Sequence, residues 1–193
     1  GTKLICLSGN VNNRGTFEVP IGGVTLRDLI FDPEFGGGIP DGKELKFYHL
    51  GGQSGPIGFP EQLDTRYDHT SLKKQGLSIG SGAIVVMDET VCIIDYLKKV
   101  SEFFIHESCG KCVPCREGNR QMYMILHRFA TGLATERDFE RMERLSSSCG
   151  LGQSACTALD SCLKHRREEF QSHIKGICPV CLNSRKYGDQ YAY

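Results

Sequence analysis

The sequence predicts an α+β fold in two successive parts, a small strand-rich domain followed by a four-helix bundle. Two observations carry this expectation. As far as about residue 88, apolar residues fall in short strand-like runs with one brief helical stripe among them. From Thr90 onward the apolar spacing turns helical, in four stretches joined by short connections.

In the first part, Lys3–Leu7 and Gly15–Val19 read as strands on either side of the turn-forming segment Asn10–Gly15. Thr25–Ile30 reads as a short helix, capped by Thr25, with Leu26, Leu29 and Ile30 on one face. Glu44–Leu50 and Ala83–Met87 supply two further strands. Strand, strand, helix and then strands is the order of a β-grasp, ubiquitin-like domain, here expected over residues 1–89. The glycine-rich stretch from Gly36 to Gly58 invites a phosphate-cradling reading, but Pro56 removes an amide donor and no amphipathic helix begins there. A long structured loop is expected instead, and no nucleotide-binding fingerprint is found.

In the second part, Ile93, Leu97, Val100 and Phe104 form the stripe of a first helix. Met122, Ile125, Leu126 and Phe129 line a second, and Phe139, Met142 and Leu145 a third that opens at Thr135 with early acidic residues. Residues 154–174 read as a fourth. The bundle is expected over 90–175, and residues 176–193 as a cysteine-containing polar tail.

Lys plus Arg and Asp plus Glu are both 23, so the net charge is zero, which argues against a nucleic-acid or anionic-membrane partner. No apolar run approaches the ~20 residues that span a bilayer, and residues 1–30 carry no signal-peptide pattern. Of ten cysteines, eight lie between 109 and 181 and five of those stand in C-x2-C spacing. That clustering favours metal over disulfides, in a reducing, cytoplasmic setting. Cys6 and Cys92 stand apart in apolar contexts and read as simple buried thiols.

The chemistry concentrates in Cys109-Gly-Lys-Cys112-Val-Pro-Cys115, followed by Arg116-Glu117-Gly118. Three thiolates in so tight a loop exceed what a disulfide or a single zinc knuckle takes from one segment, and they suit a [4Fe–4S] cluster with a fourth cysteine from elsewhere. Cys149, Cys156, Cys162, Cys178 and Cys181 are all available. Cys149 is favoured: it sits in a small-residue loop, Ser146–Gly152, between the third and fourth helices, which an antiparallel bundle brings to the same end as the loop at 109–115. The helix that starts behind the three thiolates turns its positive end toward a net-negative cluster.

Cys156, Cys162, His173, Cys178 and Cys181 form a second constellation. Cys178-Pro-Val-Cys181 with His173 five residues before it has zinc-knuckle spacing, so Zn at His173, Cys178 and Cys181 is the leading reading, ahead of a second Fe–S cluster or unliganded thiols. On one straight helix Cys162 and His173 would stand about 16 Å apart and could not share an ion. His106, beside the first loop, reads as an ordinary polar neighbour.

Glu107 to Gly118, then Cys149-Gly-Leu-Gly-Gln153, and Gly80 to Asp88 before the first helix, resemble the C-terminal part of the NADH-binding flavoprotein subunit of respiratory complex I. They are more similar still to the corresponding subunits of NAD-linked [FeFe] hydrogenases and formate dehydrogenases. The resemblance covers residues 3–175. It implies an SLBB-type β-grasp domain and a helical bundle holding one [4Fe–4S] cluster on Cys109, Cys112, Cys115 and Cys149. It implies electron relay between FMN, reduced by NADH, and partner subunits: a thioredoxin-like [2Fe–2S] subunit and a further Fe–S, hydrogenase or dehydrogenase subunit. The family's FMN- and NADH-binding domain precedes the β-grasp part, and its glycine-rich motifs do not occur in these 193 residues. FMN and NAD(H) are therefore expected outside them, and catalysis by this chain alone is not. The competing class is a structural zinc-binding, protein-docking module, which would leave the third thiolate of the loop over. A thiol oxidoreductase lacks its βαβ frame here.

Overall fold

The computed structural model describes residues 1–145 and 150–180, the side chains of residues 114, 143–145 and 150–153 excepted. The chain divides into two compact units, Gly1–Thr90 and Val91–Tyr193.

The first unit is built on a five-stranded sheet with order β2-β1-β5-β3-β4. Strands β1 (Thr2–Gly9) and β2 (Gly15–Pro20) form an antiparallel hairpin, and β5 (Ala83–Asp88) runs parallel to β1. β3 (Leu45–Leu50) pairs antiparallel with both β5 and the two-residue β4 (Ile57–Gly58). Helix α1 (Leu26–Phe31) buries Leu26, Leu29 and Ile30 completely among Ile5, Leu7, Val19, Tyr48, Leu50, Ile84 and Val86. Its start is fixed by a reciprocal capping box. The Asp28 amide donates to Thr25 Oγ1 at 3.1 Å, and the Thr25 amide donates to Asp28 Oδ2 at 2.8 Å. The strand period puts Ile5 and Leu7 inward, so Cys6 between them points out and is exposed, contrary to the buried thiol expected from its apolar neighbours.

The glycine-rich stretch is more ordered than a loop. Besides the expected strand β3 it holds β4, and it precedes a second helix, α2 (His69–Lys74), which the apolar pattern did not reveal. Asp68 caps α2 by accepting from the Thr70 and Ser71 amides. The glycines serve close backbone approach: a Cβ on Gly55 would lie 1.6 Å from the Leu50 carbonyl oxygen, and one on Gly80 2.6 Å from the Gly51 Cα.

The second unit contains α3 (Ile93–Glu107), α4 (Val113–Ala130), α5 (Glu136–Leu145), α6 (Gly150–His165) and α7 (Arg167–Ile174). α4 packs on each of the other four. The anticipated stripes face inward: Ile93, Leu97, Val100 and Phe104 on α3, Met122, Ile125, Leu126 and Phe129 on α4, and Phe139 and Met142 on α5 are all buried. The side chain of Leu145 lies outside the described residues.

Thr135 caps α5 as expected, in a box with Asp138 whose carboxylate also takes Arg128 Nε at 3.1 Å. Burial pushes the Asp138 carboxyl upward, but the Thr135 and Arg128 bonds outweigh it and hold the group below its ordinary value.

The fourth stretch departs from expectation, since it is two helices broken at Arg166, whose φ of −140° and ψ of 37° are not helical. Neither proline nor glycine causes the break. It lets Phe170 pack edge-on to both Phe129 and Phe139, with ring centroids 5.8 and 6.2 Å away, so packing overrides local propensity.

Candidate metal centres

The first centre lies where α3 ends and α4 begins. Ser108 is the C-cap of α3, its amide donating to the Phe104 carbonyl at 3.1 Å. Gly110 then turns the chain with a φ of 74°, which a side chain would resist. Cys112 is the N-cap of α4, and Cys115 stands in its first turn. The three cysteines thus follow one another around a single tight corner at the positive end of α4. Arg116 braces the corner by donating from Nη1 to the Gly110 carbonyl.

Cys109 and Cys112 are exposed, whereas Cys115 is buried. Ser108 Oγ lies 3.2 Å from the Cys115 sulfur, and the Asn119 amide nitrogen, one turn further along α4, lies 3.6 Å from it. A protonated thiol is a weak acceptor, so two polar groups aimed at one buried sulfur suit a thiolate and fit iron ligation. When bound there, a cluster supplies one-electron chemistry. Cys149 lies outside the described residues. His106 is exposed on the last turn of α3.

The second centre was only partly legible. Cys92, His173 and Cys178 bring their ligand atoms within 4.8 Å of one another, and all three are buried. Cys92 Sγ stands 3.5 Å from His173 Nε2. His173 Nδ1 lies 3.0 Å from the Phe129 carbonyl oxygen. That carbonyl can only accept, so Nδ1 carries the proton and Nε2 turns its lone pair toward the two sulfurs. Metal-binding histidines are commonly oriented in this way. A hydrogen bond with Cys178, together with burial, pushes the Cys92 thiol up, while the Asp95 amide in the first turn of α3 works weakly the other way. Bringing a metal in would therefore displace protons from this pocket.

Cys92 was expected to be a plain buried thiol; the structure sets it against His173 and Cys178 instead. It lies 81 residues from His173, too far for any spacing motif. A local sign did exist: cysteine occupies the N-cap of α3, where Ser, Thr, Asp or Asn is preferred. Cys156 and Cys162 are buried in α6 and are not members of this trio. Cys181 lies outside the described residues.

Comparison with known proteins finds similar sequences and structures. Residues 95–173 match the NADH-ubiquinone oxidoreductase-F iron-sulfur binding region. The chain is 37% identical over 186 residues to the F component of NADH-quinone oxidoreductase from Mycobacterium tuberculosis, covering 93% of this chain and 41% of that protein. It is 39% identical over 187 residues to the HndC component of the NADP-reducing hydrogenase of Solidesulfovibrio fructosivorans, covering 93% and 38%. A crystal structure of NAD+-reducing [NiFe]-hydrogenase in the H2-reduced state superposes with a TM-score of 0.76 at 28% identity, over 90% of this chain and 29% of that one. The chain thus spans about two fifths of the length of these curated relatives. The match to the NADH-ubiquinone oxidoreductase-F iron-sulfur binding region, over residues 95–173, takes in the three-cysteine corner.

Proposed function

We propose that this chain is an electron-transfer module in which Cys109, Cys112, Cys115 and Cys149 hold one [4Fe–4S] cluster that relays electrons between FMN and partner Fe–S subunits of an NADH-linked oxidoreductase. The observation that carries the reading is the three-cysteine corner at the start of α4, with two polar groups directed at its buried sulfur, inside the matched iron–sulfur region. The chain works within a complex, as its relatives named as subunits do, and in the cytoplasm, where thiolates stay reduced. Among the described residues no helix is long and apolar enough to cross a membrane. These 193 residues carry electrons without oxidising NADH themselves; substantial NADH–ferricyanide turnover with added FMN would overturn that part.

Anaerobic purification followed by iron, sulfide and EPR analysis tests the cluster. Four irons per chain, a brown colour and an EPR signal on reduction are expected. A colourless chain that holds only zinc would establish the structural docking module instead.

The second centre is proposed to hold a structural zinc on Cys92, His173 and Cys178, with Cys181 as fourth ligand. Support comes from three buried ligand atoms within 4.8 Å and the fixed tautomer of His173. One zinc per chain beside the iron is expected, lost on replacement of Cys92, Cys178 or Cys181. A wild-type chain with full iron and no zinc would refute it.

A further inference from the structure

We propose that Ser108 and Asn119 set the reduction potential of the cluster by donating two hydrogen bonds to the sulfur of Cys115. The proposal rests on the reading that this cysteine ligates the cluster, and it assigns work to two residues outside the ligand set.

The directions of both bonds follow from chemistry. Ser108 Oγ already accepts from the Gly110 amide at 3.2 Å, so its own proton is left for the Cys115 sulfur 3.2 Å away. A ligating thiolate has no proton to give, so the serine must be the donor. Asn119 is buried and uses Nδ2 twice, toward the Phe104 carbonyl at 3.5 Å and toward Cys115 Sγ at 3.6 Å. The carbonyl anchor fixes which end of the amide faces sulfur. The two donors come from opposite sides of the corner, Ser108 from the end of α3 and Asn119 from the second turn of α4. Burial matters as well: around Cys115 little water competes for the sulfur, whereas Cys109 and Cys112 are exposed.

Reduction adds one electron to the cluster, so its sulfurs become stronger acceptors. Both bonds then tighten, which favours the reduced state and raises the potential. Removing a donor should lower it.

The test uses the full chain, purified anaerobically, in wild-type form and as Ser108→Ala, Ser108→Thr and Asn119→Leu. Redox titration followed by EPR is the readout. At a potential poised at the wild-type midpoint, the ratio of reduced to oxidised cluster should fall roughly three- to tenfold for Ser108→Ala and for Asn119→Leu. That corresponds to about 30–60 mV at 59 mV per decade. Ser108→Thr keeps the hydroxyl and should stay near wild type. Unchanged midpoints in Ser108→Ala and Asn119→Leu, at full iron content, would overturn the proposal. Should a variant fail to assemble its cluster, the wild type decides: ENDOR of the reduced protein in H2O and D2O must show exchangeable protons strongly coupled to the cluster, and their absence overturns the proposal equally. A wild-type chain without iron would instead defeat the cluster reading itself, a distinct result.

Discussion

Replacing Cys92 by alanine tests the second centre at the ligand that no spacing motif announces. The substitution removes one of three buried ligand atoms and leaves His173 Nε2 facing the space the sulfur had filled. Loss of a group that merely orients a ligand typically costs 10–100-fold in metal affinity, so loss of a ligand itself should cost at least about 100-fold. With zinc in excess of both dissociation constants, a 100-fold weaker site stabilises the fold by about 2.7 kcal/mol less. A chain of 193 residues loses roughly 2–4 °C in Tm per kcal/mol, so the expected fall is about 5–10 °C. Thermal unfolding with and without zinc, beside zinc and iron analysis on the same samples, reads this out. Chelating zinc should cost wild type about 2.7 kcal/mol more than Cys92→Ala and bring the two Tm values together, with matching iron content in both. A variant that keeps one zinc per chain with wild-type affinity and Tm would refute the assignment of Cys92 as a ligand.

Three further outcomes are expected. Phe170→Ala should destabilise the helical unit by about 3–5 kcal/mol in urea unfolding, because the fully buried ring packs edge-on to both Phe129 and Phe139. Gly55→Ala should cost about 1–3 kcal/mol, since its Cβ would meet the Leu50 carbonyl at 1.6 Å and force apart the turn that also takes the His49 ring nitrogen. Asp138 has a folded pKa below its ordinary value, so its contribution is complete above the unfolded pKa of about 3.9 and is lost as pH falls through the folded pKa. Urea midpoints measured from pH 6 down to pH 3 should therefore drop less in Asp138→Asn than in wild type, the variant being less stable by about 1 kcal/mol at pH 6.

Much of the fold was legible because its elements announce themselves locally. Thr25 with Asp28, and Thr135 with Asp138, are capping boxes readable at three-residue spacing, and the stripes of α3 and α4 run for several turns. β4 has two residues and α2 buries only Leu72, too little for any period to emerge from the glycine-rich stretch or the segment after it. The break at Arg166 was hidden for a different reason: what decides it is the packing of Phe170 against two other helices, not a breaker residue. The three-cysteine corner was legible from contiguous spacing, and the pair His173 and Cys178 from a zinc-knuckle interval. Cys92 was not, because a side chain contributed by a helix far away in sequence leaves no interval to read.

The two centres nevertheless share a local signature. α1, α2 and α5 begin on Thr25, Asp68 and Thr135, whose oxygens accept from first-turn amides. α3 and α4 begin on Cys92 and Cys112, and neither makes a side-chain capping hydrogen bond. A good cap is worth about 0.5–2 kcal/mol, and sulfur is a poor substitute for oxygen in that role. Among the described helix starts, α7 also lacks a side-chain cap, on Arg166, but α3 and α4 forgo theirs for cysteine, which gives those two positions to something other than helix stability. Both cysteines stand at the positive end of a helix, which suits a thiolate once a metal has displaced its proton. On the proposed reading, the two companion cysteines of Cys112 select iron at the corner, and the imidazole opposite Cys92 selects a single ion in its pocket. A cysteine at an N-cap was thus the one sequence sign common to both centres, and applied from the outset it would have separated Cys92, which starts a helix, from Cys6, which lies within a strand.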